Sequence, residues 1–368
     1  MENGKYKICA IGFAHTHMLH NLKTFADCAQ DAFLAAAADT RPRVPSSLAS
    51  PASRRGDLKA AGESFGVEIC DDWRALLERH GDMDACLVCC ENADHPDVAE
   101  ALLRRGVHAV LEKPLAADLS GALRIARAAR AGGARVFVNW PATWSPAIRE
   151  LQRLAGQGAV GRIFKLHYRN SESMGALEYG QNATDAQKGE EWWHQSSAGG
   201  GAMLDYCCYG ACLSSWIMGE PRAAYGMKGN FCSQYGDAED NAVVTVRFDG
   251  GFATLEGSWS TVNPGGIATG PIVWGSKGVM VAERDGRVYI YRTPHKPQPD
   301  EIVEPEPLPA GRTTLGQEVV HCLRGGGAPH PTMDLPLNIM AMSILDAGAR
   351  SAASGRLELA NGAAWGIG

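Results

Sequence analysis

Short apolar runs alternate with amphipathic stretches through the first 139 residues. Residues 7–11 and 32–38 read as buried strands, the second ending at Asp39, and a helix is predicted from about Thr16. A loop rich in Pro, Ser and Arg, residues 41–55, precedes a helical stretch at 56–65. Helices over 73–79, 96–105 and 119–131 then interleave with strands over 85–90, 109–111 and 136–138. Strands separated by helical-period segments predict a parallel, doubly wound sheet, because parallel neighbours need a crossover between them.

The pattern changes after one further helix at 147–154. Residues 163–169, 242–248, 252–259, 278–282 and 287–291 read as strands, with turn signals at Asp249-Gly250-Gly251 and Asp285-Gly286. Strands joined by tight turns predict a largely antiparallel sheet. The proline-rich, charged run at 293–309 reads as an exposed loop, and helices are predicted at 314–323 and 337–354. The expected architecture is therefore a Rossmann-type α/β domain over 1–139, followed by an α+β domain over 140–368 on an open-faced sheet. The helix at 337–354 is placed to pack back on the first domain.

The 368 residues are 45% hydrophobic and 21% charged, with a formal net charge of −6, which leaves ample apolar surface for a sizeable core. A mildly acidic chain with no basic run lacks the electrostatic footprint for nucleic acid or an anionic membrane. No apolar run reaches transmembrane length. Lys5 and Lys7 lead straight into the first strand, so no signal peptide is expected. The 11 cysteines include Cys86-Leu87-Val88-Cys89-Cys90, whose CxxC spacing lies inside an apolar strand. Free cysteines packed as small hydrophobes, in a reducing cytoplasmic compartment, fit that placement better than a disulfide framework.

Candidate chemistry gathers at strand ends. The first strand–turn–helix holds Gly12-Phe13-Ala14-His15-Thr16-His17. A dinucleotide turn uses three glycines; only Gly12 is kept, with Ala14 and His17 in the other two places. The position still suits a phosphate, because a helix N-terminus offers N–H groups and a favourable dipole. Without a third ligand at a suitable spacing, His15 and His17 read as loop histidines and no metal is expected. Asp39, followed by Thr40, suits hydrogen bonds from ribose hydroxyls and so favours NAD over NADP, with a helix or turn cap as its alternative use. Arg41 and Arg43 stand close enough to hold the 2′-phosphate of NADP instead.

Glu91-Asn92-Ala93-Asp94-His95-Pro96 follows the strand at 85–90, at the carboxyl edge where open α/β sheets bind ligands. Glu112-Lys113-Pro114 ends the next strand, and a proline there can aim Lys113 into a cleft. Further on, Gly199-Gly200-Gly201 leads into Asp205 and Tyr209, which share a face if the segment from Met203 is helical. Trp140, Trp144, Trp192, Trp193 and His194 suit either a packed junction or the C–H faces of a sugar ring.

Glu112-Lys113-Pro114 together with Gly199-Gly200-Gly201-x-x-x-Asp205-x-x-x-Tyr209, behind a dinucleotide-type start, resembles the glucose–fructose oxidoreductase / inositol dehydrogenase family, often called Gfo/Idh/MocA. The resemblance covers nearly the whole chain, including Ser145-Pro146-Ala147 and Gly158-Ala159-Val160-Gly161-Arg162-Ile163. It implies an NAD(P)-dependent oxidoreductase moving hydride between the nicotinamide and a secondary hydroxyl or ketone of a sugar, cyclitol or glycoside. Tyr209 is then the acid/base, Lys113 the oxyanion stabiliser and Asp205 the orienting carboxylate. The family usually has His at this tyrosine, and Tyr209 resembles the glucose–fructose oxidoreductase and dihydrodiol dehydrogenase branches. Lys113 is expected to make the phenol more acidic.

The implied cofactor contacts are Gly12, Phe13, Ala14, His15, Thr16, His17, Asp39, Thr40, Arg41, Glu91, Asn92, His95, Glu112, Lys113 and Trp140. The implied substrate contacts are Lys113, Tyr168, Asn170, Trp193, His194, Asp205 and Tyr209. An arginine that the family carries after the strand at 136–138 is missing from residues 139–144. Two other uses of such a fold stay open: an internal redox step within a glycoside-cleaving or epimerising reaction, and a non-catalytic sugar or cofactor sensor. Retention of Lys113 and Tyr209 argues against the sensor. An open sheet face of this kind also predicts a homodimer or homotetramer.

Overall fold

A computed structural model describes residues 4–42, 45, 47, 54–171, 183–233, 235–261 and 270–360; Arg43 lies outside the described residues. The first layer is built from β1 (Tyr6–Ile11), α1 (His17–Ala26), β2 (Ala32–Ala38), α2 (Arg54–Phe65), β3 (Glu68–Ile69), α3 (Trp73–Arg79), β4 (Ala85–Val88), α4 (His95–Leu103), β5 (His108–Glu112), α5 (Leu119–Gly132) and β6 (Val136–Asn139). Its six strands are all parallel, in the order β3-β2-β1-β4-β5-β6. Helices cover both faces, which is why β4 is buried at every position and reads as an uninterrupted apolar run. The strand order reverses between β1 and β4, opening a crevice at the carboxyl edge.

The second layer comprises α6 (Pro146–Gly156), β7 (Ile163–Ser171), α7 (Asp185–Glu190), α8 (Cys208–Met218), β8 (Pro221–Gly229), β9 (Asn241–Phe248), β10 (Gly251–Ser258), β11 (Ile272–Gly275), β12 (Gly278–Ala282), β13 (Val288–Tyr291), β14 (Glu301–Val303), α9 (Leu315–Leu323), α10 (Leu335–Ser354) and β15 (Glu358–Leu359). The nine strands run β14-β13-β12-β11-β7-β10-β9-β8-β15. All pairs are antiparallel except β7 with β10, at the heart of the sheet. Helices α8 and α10 lie on one face, over Val244, Val246 and Leu255. Tyr225, Met227, Phe252 and Phe164 stay exposed on strands of the same sheet.

Two helices from the end of the chain tie the layers together. Helix α9 packs on α1, where the Gly316 N–H donates to Thr24 Oγ1 at 3.0 Å. Helix α10 packs on β8 and α5, and Asn338 within it accepts from Trp140 Nε1 at 2.8 Å.

Several strands depart from the sequence pattern. β8 was not anticipated because Pro-Arg-Ala-Ala-Tyr-Gly-Met-Lys-Gly has little intrinsic strand preference; its ladder with β9 and its cover by α10 decide its state. β14 forms inside the run expected to be loop, as a three-residue edge strand that keeps its charge outward. β3 and β15 are two-residue edges, and β11 is a four-residue strand. No helix among the described residues is long and apolar enough to cross a membrane. Every cysteine is free, and all but Cys232 are at least mostly buried.

Candidate active site

The carboxyl ends of β1, β2, β4, β5 and β6 converge beneath a loop from the second layer. Gly12 turns the chain out of β1 at φ +88°, where an added Cβ would lie 2.5 Å from the Cys90 amide nitrogen. Only glycine fits both the backbone angle and that approach. The turn is held by Gly12 N–H to Ala38 O and Ala14 N–H to Cys89 O, both at 2.9 Å. Thr16 precedes α1 without a side-chain cap, which suits a phosphate at the helix start. His15 Nδ1 accepts the His17 N–H at 3.1 Å, so the proton of the neutral ring belongs on Nε2. Burial holds His15 well below the usual histidine range, and neighbouring His17 and Lys113 add to that.

His17, in the place of a glycine, sets Nδ1 at 3.2 Å from Glu112 Oε1. Burial raises the Glu112 carboxyl, but His17 and Lys113 offset this and leave it below the usual range. Asn92 donates to Gly199 O at 2.9 Å and so ties the β4 end to the second layer. His95 is fully buried, with Nδ1 at 3.1 Å from Pro114 O. It therefore supports the Lys113–Pro114 turn.

Lys113 comes out of β5 with its side chain 4% exposed and donates to Asp205 Oδ1 at 2.7 Å. The Asp205 carbonyl accepts a second bond from Nζ at 3.3 Å, and Asp205 Oδ2 accepts from Trp259 Nε1 at 3.1 Å. Burial disfavours the ammonium, yet Asp205 and then Tyr209 hold its pKa well above the ordinary lysine value. Asp205 sits in a π-helical turn, Met203–Cys207, that precedes α8. Such widened turns recur at functional sites because they re-aim a carbonyl or side chain. The glycine triplet before it has a steric cause: a Cβ on Gly199 would lie 2.8 Å from Asn92 Cβ, and one on Gly201 would overlap the Glu239 carboxylate.

Tyr209 completes the centre. Lys113 Nζ lies 4.9 Å from its ring centroid, over the face and not at the oxygen. Trp140 meets the ring edge-on at 5.6 Å and Tyr168 stacks on it at 6.2 Å. No hydrogen bond from the Tyr209 hydroxyl is made to the described residues. Burial pushes this phenol above its ordinary value by more than Lys113 pulls it down. The expected acidification by Lys113 is thus present but outweighed, because the ammonium is committed to Asp205 and the ring is desolvated.

Other anticipated residues fall around this centre. Trp193 meets His15 edge-on at 4.6 Å, and Trp192 donates to Ala14 O at 2.9 Å, so this pair lies over the dinucleotide turn. His194 packs edge-on against Trp259 at 5.1 Å, and burial lowers its pKa to about 4. It stands behind Asp205 by way of Trp259. Asn170 borders a depression of about 1050 Å³ on the sheet together with His167 and Met227; no hydrogen bond links it to Lys113 or Tyr209 among the described residues. Arg41 is exposed.

Two residues that sequence reasoning missed are central. Trp259, read only as a strand end, fixes Asp205. Arg54, read as part of a loop, forks onto Asp39 with Nε–Oδ2 at 2.9 Å and Nη2–Oδ1 at 2.7 Å, and pairs with Glu91. No spacing signal joins residues so far apart in the chain.

The strand order, the Gly12 turn and the acidic end of β2 fit an adenine dinucleotide, and comparison with known proteins agrees. Residues 28–140 match the model described as an oxidoreductase family with an NAD-binding Rossmann fold, and residues 148–281 match the GFO/IDH/MocA C-terminal domain. The chain belongs to the Gfo/Idh/MocA family. Among curated proteins it is 30% identical to the dTDP-3,4-didehydro-2,6-dideoxy-alpha-D-glucose 3-reductase of Streptomyces violaceoruber over 194 residues, 53% of this chain and 52% of that protein. It is 31% identical to inositol 2-dehydrogenase 2 of Saccharopolyspora erythraea over 121 residues, 32% of this chain and 35% of that one. The matches thus span about half or less of these relatives. The WlbA dehydrogenase from Bordetella pertussis, solved with NADH and UDP-GlcNAcA, superposes with a TM-score of 0.75 at 20% identity, over 98% of this chain and 99% of that one. At that identity the likeness speaks for the fold.

Proposed function

We propose that this Gfo/Idh/MocA protein is an NAD(P)-dependent oxidoreductase acting on a secondary hydroxyl or ketone of a sugar-like substrate. The supporting observation is the Lys113–Asp205–Tyr209 centre: a buried, charge-paired ammonium over the ring of a partly buried phenol whose hydroxyl is not committed to the described residues. The named relatives, a sugar 3-reductase and an inositol dehydrogenase, point to the same class of substrate.

A bound nicotinamide supplies a hydride acceptor or donor at its C4 position. The chain's own residues handle the proton and the charge. Tyr209 gives its hydroxyl proton to the substrate oxygen in reduction and takes it back in oxidation. Lys113 stabilises negative charge on that oxygen, and its worth is greatest where water is excluded. Asp205, fixed by Trp259, keeps the ammonium in one place. Trp140 and Tyr168 form the walls against the phenol. Because the phenol lies above its ordinary pKa, it is protonated at neutral pH, the form that ketone reduction uses.

The test is a screen of pyranosides, polyols and their keto forms with both dinucleotides in both oxidation states, reading the absorbance of the reduced nicotinamide. Stoichiometric gain or loss of reduced cofactor supports the reading. Sugar conversion without net cofactor change points to an internal redox step, and binding without conversion points to a sensor.

A further inference from the structure

We propose that Arg54 decides which dinucleotide the first domain accepts, by offsetting the Asp39 charge that would otherwise exclude the 2′-phosphate of NADP. This rests on the cofactor site proposed above. Asp39 stands at the end of β2, where a carboxylate ordinarily receives the two ribose hydroxyls and repels a phosphate. Here most of its acceptor sites are already engaged. Oδ1 takes the N–H groups of Phe13 and Thr40, each at 2.8 Å, and Arg54 Nη2 at 2.7 Å; Oδ2 takes Arg54 Nε at 2.9 Å. Oδ1 is thus fully engaged, while Oδ2 keeps one lone pair beside Arg54 Nε, so Asp39 can receive one ribose hydroxyl as it stands and a second only if Arg54 gives way.

The arginine itself is built into the wall. It opens α2, its side chain is 14% exposed, and it also donates to Thr40 O at 3.0 Å and Thr40 Oγ1 at 2.7 Å while Nη1 pairs with Glu91. Burial works against the guanidinium charge, but the bonds and fields of Asp39 and Glu91 more than offset it and hold the group cationic. Glu91 is almost wholly buried and burial lifts its carboxyl above the usual range. Nη1 makes a single bond to the described residues, which leaves one N–H for an incoming phosphate oxygen. A planar guanidinium is also the side chain best matched to phosphate. Arg54 therefore acts twice at one place: it occupies the carboxylate that favours NAD, and it supplies the cation that tolerates NADP. The exposed Arg41 supplies no such fixed charge.

The experiment is equilibrium titration of NADH and NADPH, followed by tryptophan fluorescence and by calorimetry, into the whole protein and its Arg54→Gln and Glu91→Gln variants. Wild type is expected to bind both dinucleotides. Arg54→Gln should weaken NADPH by about tenfold or more, the scale of a lost charge-assisted bond, while NADH binding holds or tightens as Asp39 is released. Glu91→Gln should move the ratio the other way, since it leaves the guanidinium with one fewer anion; this variant carries the test if Arg54→Gln fails to fold. Equal weakening of both dinucleotides, an unchanged ratio in Arg54→Gln and Glu91→Gln, or a wild type that binds NADH alone would overturn the role of Arg54. Failure of wild type to bind either dinucleotide would instead overturn the proposed function.

Discussion

Replacing Asp205 with alanine strands a buried ammonium. At 2.7 Å the Lys113–Asp205 attraction is about 6 kcal/mol for an effective dielectric near 20. Part of this returns, because Lys113 keeps the carbonyl of residue 205 at 3.3 Å and the vacated space admits water. Removing one partner of a buried pair typically costs about 3–5 kcal/mol, and the Trp259 N–H loses its acceptor within that figure. Asp205→Asn retains an acceptor and should cost less, about 1–3 kcal/mol. Urea unfolding followed by tryptophan fluorescence measures both. Lys113→Met combined with Asp205→Ala should cost clearly less than the sum of the single changes, since no charge is then stranded. Because the folded-state pKa of Lys113 is raised, its contribution is complete below the ordinary lysine pKa and is lost only as pH rises through the folded value. The stabilisation should thus be level across neutral pH. A loss under about 1 kcal/mol for Asp205→Ala, or strict additivity in the double variant, would refute a charge-paired centre.

Further outcomes follow from other parts of the molecule. With the Tyr209 phenol raised, ketone reduction should be nearly flat over about pH 6–9, whereas alcohol oxidation should climb with pH throughout; an oxidation rate that levels off near neutrality would contradict this. The exposed Tyr225, Met227 and Phe252 are expected to be covered by a second copy of the chain, so light scattering at micromolar concentration should give a dimer or tetramer that Phe252→Glu weakens. A monomer in wild type would count against that interface. Gly226→Ala should cost about 1–3 kcal/mol in the same unfolding assay, because its Cβ would overlap the Gly348 carbonyl of α10; a neutral result would mean that α10 can shift off β8.

The parallel layer was legible because its central strands are buried on both faces and some of its helices carry clean caps, as where Asp118 accepts from Gly121 N–H and Gly133 takes a left-handed φ of 64°. The second sheet was legible where residues alternate, as in β9, and illegible in β8, whose composition argues against a strand. Lys113, Asp205 and Tyr209 could be read because motif and spacing carry them. Their mutual energetics could not: the π-helical turn, the Trp259 bond and the net rise of the phenol all depend on burial and on contacts distant in sequence. Arg54 was hidden for the same reason. It lies in a run whose composition suggested a solvated loop, while its charge is spent on strand ends elsewhere in the chain.

The most direct test of the proposed chemistry is Tyr209→Phe, which removes one oxygen and keeps the ring that Lys113, Trp140 and Tyr168 surround. On a substrate found by the screen, turnover should fall by about 10²–10⁴-fold, while NADH binding measured by titration stays at the wild-type value. Near-wild-type turnover in Tyr209→Phe would show that another group moves the proton, and the acid/base assignment would be wrong.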